Sequence, residues 1–316
     1  MLSKTPACRS YGLQQDVHGG GIRRSVGCPS FPDVNTAAKT HIFHRFRVPV
    51  LLVAMIAVMA VAGLLNSALD DLGPVSFVVG LATAAGGLFC YTRLSRYVER
   101  REDVPELARA GAKPGLLRGA AIGAGAFVAT MLLIGMFGGW DHVSGGSFWG
   151  LLASTGSMAS AAVNEELLFR GVVFRFTQER VGTWPALAVS AILFGGSHLL
   201  NANATLWGAL AIAVEAGIML GAAYVCTRSL WLPIGIHFVW NLLESGVFGT
   251  TVSGASGTAH GLLNTALSGP ALLTGGGFGP EASLLAVLTC AIPAVFLIRT
   301  AARRGLLVPF HGRARS

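Results

Sequence analysis

The chain is poor in charged residues and in cysteine. Of its 316 residues, 12% are charged and 53% are hydrophobic, whereas an ordinary soluble domain carries about 25% charged residues. Its five cysteines show no C-x-x-C spacing, so we expect no disulfide bonds. The composition excludes an ordinary soluble domain and predicts an integral membrane protein.

Several catalytic signatures are also missing. The sequence contains no H-E-x-x-H, which soluble zinc proteases use, no G-x-S-x-G of serine hydrolases, and no G-x-x-x-x-G-K phosphate loop. The net charge of +8 is spread over separate loops, so it does not indicate a nucleic-acid surface. We therefore expect neither nucleotide chemistry nor a nucleic-acid partner.

What the sequence does contain is a series of long apolar runs. A helix needs roughly 17 to 25 apolar residues to cross a hydrocarbon core of about 30 Å, and about eight runs approach or exceed this length. Because backbone polar groups in lipid must bond within their own segment, these runs favour helices. The prediction is an all-α, polytopic transmembrane bundle with spans near 48–69, 74–94, 119–139, 147–174, 184–200, 206–226, 230–248 and 282–298.

Basic residues alternate between the loops that join these runs. Lys and Arg occur in every second loop and in both flanking segments, and they are absent from the remaining loops. This is the distribution that the positive-inside rule describes for cytoplasmic loops. It predicts a multi-pass cell-membrane protein with both termini in the cytoplasm.

The runs and loops predict five regions along the chain. We expect a disordered cytoplasmic leader, N-terminal transmembrane helices, a catalytic helical core, a Gly-rich outer loop, and a last helix with a basic tail. Their respective bounds are 1–46, 47–146, 147–250, 251–281 and 282–316.

Three polar signatures interrupt the apolar core. They are Glu165-Glu166-x-x-x-Arg170, Phe194-x-x-x-His198 and His237-x-x-x-Asn241. An ionised group at the bilayer centre costs roughly 2.5 to 3.5 kcal/mol, so such residues persist where they pair or do chemistry. Residues four apart share a helix face, which predicts a Glu166–Arg170 pair and leaves Glu165 to face a different neighbour.

A carboxylate and two imidazoles in a poorly hydrated pocket suit hydrolysis by water. In one version Glu165 and His198 activate the water, while His237 and Asn241 bind the oxyanion of the tetrahedral intermediate. In the other, Glu165, His198 and His237 hold a zinc ion. The spacing of these residues is compatible with both the metal-independent and the zinc version. No serine or cysteine nucleophile is evident.

In order, spacing and helix placement these signatures resemble the CPBP family of intramembrane proteases. That family includes type II CAAX prenyl endopeptidases and bacteriocin-immunity proteins, and the resemblance covers roughly 150–244, including Thr-Arg-Ser-Leu-Trp-Leu-Pro-Ile-Gly-Ile-His at 227–237. It implies Glu165 as the water-activating residue, His198 as its partner, and His237 with Asn241 on the oxyanion or metal side.

The resemblance also implies that Glu166 and Arg170 support the site. It implies an endopeptidase that acts on a membrane-embedded or lipidated peptide or protein. Family members are often described as metalloproteases, so zinc stays open. The alternative function is a non-catalytic scaffold or immunity protein of the same fold.

Four further features lie in or near the core. Glu215 departs from an apolar helix, and we expect it to join a charge network with Arg170 or to bond to a Ser or Thr. Glu244 is expected to reach water or the outer loop. Small residues four apart, Gly119 with Gly123 and Gly217 with Gly221, predict close helix contacts.

Overall fold

The computed structural model describes residues 34–69, 72–256 and 261–310, with side chains from Phe46 onward. The chain divides into two units, 1–40 and 41–316. Of the first unit, the structure describes only the start of the first helix. The second unit is a helix bundle, which confirms the predicted fold class.

Eleven α-helices and two short strands make up the described chain, and several helices continue into 3₁₀ or π turns. The helices are α1 Val34–Ala68, α2 Pro74–Glu99, α3 Ala112–Met136, α4 Phe148–Glu166, α5 Arg175–Val181, α6 Thr183–Ser197, α7 Leu206–Ile212, α8 Ile218–Thr227, α9 Trp231–Asn241, α10 Ala271–Thr274 and α11 Leu284–Arg303. The strands are β1 Trp140–Gly145 and β2 Leu263–Leu267.

Side-chain oxygens fix the start of three helices. Ser147, Thr205 and Ser283 accept hydrogen bonds from the backbone N–H groups of Gly150, Gly208 and Ala286 at 3.2, 2.9 and 3.0 Å. Each bond satisfies one of the free N–H groups of a first helical turn. The starts of α4, α7 and α11 are therefore encoded locally.

Six helical stretches in the described chain are long and apolar enough to cross a membrane. They are Phe46–Ala68, Pro74–Glu99, Pro105–Met136, Thr183–Leu200, Leu206–Thr227 and Leu284–Arg303. The two other predicted spans, 147–174 and 230–248, are helical but change to π-helix part of the way along. These two stretches carry the polar residues of the core and are not among the six. The predicted number of eight membrane spans is therefore not confirmed.

Close backbone contacts hold the core helices together. A Cβ at Gly119 would lie 2.4 Å from the carbonyl oxygen of Leu232, and one at Gly123 would lie 2.4 Å from that of Ile236. The predicted small-residue contact thus joins α3 to α9. Gly217 also lies close to α6, since a Cβ there would be 2.8 Å from the Cα of Ala191. In lipid such close approach supplies the van der Waals contact that holds helices together.

The Gly-rich segment 251–281 is more ordered than the predicted loop. Its β2 pairs antiparallel with β1, with Val143 opposite Thr265 and a bulge between Trp140 and His142. The short helix α10 and 3₁₀ turns at Gly276–Phe278 and Pro280–Ala282 follow β2. The sequence pattern missed these elements because each is too short for periodicity to show.

The predicted leader and termini are only partly described. α1 begins at Val34, inside the segment 1–46, and the expectation of a disordered leader stays a prediction. Residues 1–33 and 311–316 lie outside the described residues, as do Cys8 and Cys28. Cys90, Cys226 and Cys290 are free thiols. The cytoplasmic placement of both termini stays a prediction.

A charged network ties the end of α2 to α5. We call it the Arg175 network: Glu99, Arg101, Glu106 and Arg175, with Tyr91 donating to Glu106 at 2.7 Å. Arg175 donates to both oxygens of Glu99 at 2.7 Å, and Arg101 donates to both oxygens of Glu106 at 2.8 and 3.1 Å. Partial burial lowers the pKa of Arg101, but its hydrogen bond to Glu106 raises the pKa by more, so the net shift is upward.

Candidate active site

Two of the three polar signatures of the core lie where an α-helix continues as a π-helix. α4 ends at Glu166 and continues as π-helix over Leu167–Phe174, and α9 ends at Asn241 and continues as π-helix over Leu242–Val247. A third π segment, Ala213–Gly217, contains Glu215. π turns are rare and frequently mark functional sites. His198, of the remaining signature, instead begins the 3₁₀ turn His198–Leu200.

Glu166 and Arg170 form the predicted ion pair inside the core. Arg170 Nη1 donates to Glu166 Oε1 at 2.7 Å, and both side chains are fully buried. Arg170 Nη2 also donates to the carbonyl oxygens of Ala216 and Gly217 at 3.2 Å each. The guanidinium lies 4.5 Å from the ring centroid of Phe194. Arg170 therefore joins α4, α6 and the π turn before α8.

His237 lies between the two glutamates. Its Nδ1 is 3.0 Å from Glu166 Oε1, and its Nε2 is 3.9 Å from Glu165 Oε2. A carboxylate oxygen accepts, so Nδ1 donates to Glu166 and the ring orientation is fixed. The expectation that Glu165 faces a different neighbour from Glu166 is therefore wrong, because one imidazole is wide enough to reach both carboxylates from another helix.

Glu165 is the less buried of the two glutamates. Its side chain is 22% exposed, and its Oε2 is buried without a hydrogen-bond partner in the described chain. The gap to His237 Nε2 is too long for a hydrogen bond. The carboxylate thus has an unpaired acceptor oxygen next to an imidazole.

His198 is anchored through one ring nitrogen. Its Nδ1 lies 2.8 Å from the carbonyl oxygen of Phe194, one turn earlier. Since a carbonyl only accepts, Nδ1 carries the proton, and in the neutral ring Nε2 keeps its lone pair. The Phe194 ring contacts both His198 and His237 edge-on, with centroid distances of 5.0 and 5.8 Å. Phe194 therefore positions the two histidines.

A small cavity of about 20 Å³, enough for about one water molecule, lies among these groups. His198, His237 and Asn241 line it together with Phe194. Asn241 lies one turn after His237 and is 6% exposed, so its amide faces this cavity rather than bulk solvent. The structure thus gathers His198, His237 and Asn241 around one space, with Glu165 beside His237.

Glu215 differs from its expected surroundings, whereas Glu244 lies against the outer segment, one of its two expected surroundings. Both are buried, and neither forms an ion pair with a basic side chain of the described residues. Arg170 binds the carbonyls after Glu215 instead of its carboxylate. Glu244 is 0% exposed and does not reach water, because the 276–282 turns cover it; a Cβ at Gly279 would lie 3.3 Å from Glu244 Oε1.

The donor set does not fit a zinc ion as it stands. Within the described part of the chain, no three His, Cys, Asp or Glu side chains are close enough together to hold a metal. Glu165 and His237 approach each other, but His198 does not complete a set of three ligands. Zinc binding stays a prediction, and the hydrolysis proposed for this site uses no metal ion.

Sequence reasoning missed Glu281, Ser253 and Trp240 as site neighbours. Trp240 Nε1 and Ser253 Oγ donate to the two oxygens of Glu281 at 3.1 and 2.5 Å. One signal was available, since Glu281 is the only Asp, Glu, Lys or Arg between Glu244 and Arg299. An acidic residue in a segment read as a loop gave no reason to expect burial.

Comparison with known proteins identifies the core. A family model described as type II CAAX prenyl endopeptidase Rce1-like matches residues 147–243. No curated protein matches the chain. No solved structure matches it either.

The matched segment contains every predicted site residue and all of α4 to α9. With the six membrane-length helices, the match indicates an integral membrane protein of the protease class. It also confirms the resemblance predicted from the three polar signatures. Residues 147–243 of the chain are thus similar to the type II CAAX prenyl endopeptidase Rce1-like family.

Proposed function

We propose that the protein is an intramembrane endopeptidase that hydrolyses a peptide bond of a membrane-embedded or lipidated substrate with an activated water. The observation that carries the proposal is the His237 ring between Glu165 and Glu166, next to a buried cavity that His198 and Asn241 also line. Ion pairs that only stabilise a fold do not need an unpaired carboxylate oxygen beside an imidazole.

The proposed reaction assigns the proton transfers to Glu165. Glu165 accepts a proton from water as the water oxygen attacks the carbonyl carbon of the substrate, and it then gives that proton to the leaving amine. His198 accepts a hydrogen bond from the same water at Nε2. The two cleavage products are a carboxylic acid and an amine, so atoms and charge balance.

His237 and Asn241 stabilise the tetrahedral intermediate in this proposal. The Asn241 amide donates to the oxyanion, and His237 in its imidazolium form donates from Nε2. Glu166 accepts from His237 Nδ1 and is itself held by Arg170. These two residues are thus positioning residues, which agrees with the supporting role that the resemblance implied.

The test replaces Glu165 by Gln in the full chain, reconstituted in liposomes. Two substrates are used: a single-span peptide, and a peptide whose C-terminal cysteine carries a prenyl group. New peptide termini are measured by mass spectrometry. Because a general base contributes about 10²- to 10⁴-fold, Glu165→Gln is expected to lower the cleavage rate by that factor.

The matched control is Glu102→Gln, which removes an exposed carboxylate outside the site. Cleavage by this variant should equal that of the wild type. A Glu165→Gln protein that folds normally and cleaves at the wild-type rate would rule out the assigned role. A wild-type protein that binds such peptides without cleaving any would favour the scaffold or immunity function.

A further inference from the structure

A second, open cavity lies apart from the candidate active site. Its volume is about 390 Å³, many times the roughly 10 to 15 Å³ that one water molecule requires. Four arginines and three glutamates line it, so it has a formal excess of one positive charge. We call it the arginine pocket after Arg47, Arg101, Arg175 and Arg228. The proposed hydrolysis uses none of these residues.

The inner glutamates of the arginine pocket lie behind its arginines. The side chains of Glu99 and Glu106 are each only 3% exposed, and each of their carboxylate oxygens accepts a hydrogen bond from an arginine. The side chains of Arg47 and Arg101 are 26% and 22% exposed. Among the carboxylates of the pocket, Glu179 alone is well exposed, at the rim. A ligand that enters the pocket therefore meets mainly guanidinium groups.

Tyr224 adds an unpaired hydroxyl group to the wall of the pocket. The residue is 4% exposed, and its ring packs edge-on against Phe174 with a centroid distance of 5.6 Å. Its hydroxyl has no hydrogen-bond partner among the described residues, and its oxygen is not fully covered by the chain. A buried tyrosine hydroxyl usually has a partner. This hydroxyl thus offers a free donor to the pocket.

Two arginines at the rim also keep free donors. Arg47 Nη2 donates to Glu179 at 3.1 Å, while its Nε and Nη1 have no acceptor in the part of the chain that the structure describes. Arg228 donates from Nη1 to Gln178 and from Nη2 to a backbone carbonyl, which leaves its Nε. Arg175, by contrast, donates from all three side-chain nitrogens. Free N–H and O–H donors around a positively charged space suit an anion with several oxygens, such as a phosphate group.

The arginine pocket lies where several membrane-length helices end. Arg47, Glu99 and Arg228 are each within one residue of the end of a different membrane-length stretch. When these helices cross a bilayer, the pocket lies beside the lipid headgroups. Basic pockets between membrane helices are typical binding sites for anionic lipid headgroups. The location therefore favours a phosphate group that belongs to a lipid.

We propose that the arginine pocket binds the phosphate group of an anionic membrane lipid. Arg47 and Arg228 donate to the phosphate oxygens from the rim, and the Tyr224 hydroxyl donates from the wall. Arg101 and Arg175 neutralise the inner carboxylates, so these do not repel the ligand. The inference does not depend on the proposed protease activity.

The experiment measures the melting temperature of the purified full chain in a neutral detergent. Three probes are compared: dioctanoyl phosphatidic acid, dioctanoylglycerol and inorganic phosphate. Phosphatidic acid should raise the melting temperature in a saturable manner, because a ligand that binds the folded state stabilises it. Dioctanoylglycerol has the same acyl chains without the phosphate and should have no such effect. Inorganic phosphate lacks the acyl chains and should act only at much higher concentrations.

Variants of the pocket sharpen the experiment. Tyr224→Phe removes only an unpaired hydroxyl, so the variant should fold normally. It should raise the phosphatidic acid concentration for half-maximal stabilisation by roughly tenfold, as expected when a hydrogen bond to a charged group is lost. Arg47→Gln should raise that concentration at least as much, and Glu179→Gln, which removes the exposed carboxylate, should lower it. The matched control is Arg96→Gln, which removes an exposed arginine outside the pocket and should behave like the wild type.

Three results would overturn the proposal. The first is a weakening in Arg96→Gln as large as in Arg47→Gln, which would indicate attraction by net charge alone. The second is an unchanged response of Tyr224→Phe to phosphatidic acid. The third is stabilisation by dioctanoylglycerol or inorganic phosphate that equals that by phosphatidic acid at the same concentration.

Discussion

Two charge networks in this protein are built from the same residue types, and their completeness differs. In the Arg175 network, every carboxylate oxygen of Glu99 and Glu106 accepts a hydrogen bond from an arginine. Around Arg170, Glu165 Oε2 and Glu166 Oε2 have no partner in the described chain. The carboxylates of the first network are thus satisfied, although Arg101 Nε has no partner in the described chain, and the second network leaves acceptor oxygens free.

The networks also differ in their contact with water. Glu99, Glu106 and Arg175 line an open surface cavity of about 390 Å³, whereas Glu166 and Arg170 are fully buried. Water can therefore replace a lost partner in the first network but not in the second. The comparison suggests that free acceptors in a dry core mark chemistry, and satisfied pairs near water mark fold stability.

The largest effect is expected for Arg170→Met. The change leaves Glu166 buried without its cation, so the free energy of unfolding should fall by about 3 to 5 kcal/mol. It should be measured by denaturation of the purified protein in detergent micelles. A fall in the free energy of unfolding smaller than that of Arg175→Met would contradict the proposed difference between the networks.

The double variant Glu166→Leu with Arg170→Met sharpens the comparison. Removing both charges avoids an unpaired ion, so much of the stability lost in Arg170→Met should return. Cleavage should stay reduced by about 10²-fold or more, because His237 Nδ1 has lost the acceptor that orients its ring. If both stability and cleavage return, Glu166 has no positioning role.

The smallest effect is expected for Arg175→Met. Glu99 loses two hydrogen bonds but can be hydrated from the surface cavity, so the free energy of unfolding should fall by only about 1 to 2 kcal/mol. Cleavage per folded molecule should match the wild type, since Arg175 lies outside the active-site cavity. A large fall in kcat at unchanged stability would contradict its purely structural role.

The sequence predicted much of the active-site constellation because spacing on a helix fixes which side chains share a face. The pairing of Glu166 with Arg170 and the stripe from His237 to Asn241 both follow from a separation of four residues. The close contact at Gly119 follows in the same way from small residues in an apolar helix. The periodicity of the helix was sufficient to predict each of these pairs and contacts.

Other features depended on the π turns and on chain segments far apart in sequence. That His237 lies between both glutamates requires α9 to pack against α4, which no local pattern encodes. Glu281 comes from a segment without periodicity and is placed by Trp240 and Ser253. The burial of Glu281 was therefore not predictable from the sequence.

The sequence by itself determined the class of this protein, because apolar runs of membrane length and polar residues at helical spacing are one-dimensional signals. It also determined which residues form the core of the candidate site. The tertiary structure decided which oxygens are left without partners and that a second acidic group shares the cavity. Those facts depend on how helices and turns distant in sequence pack together, and packing is a property of the folded chain.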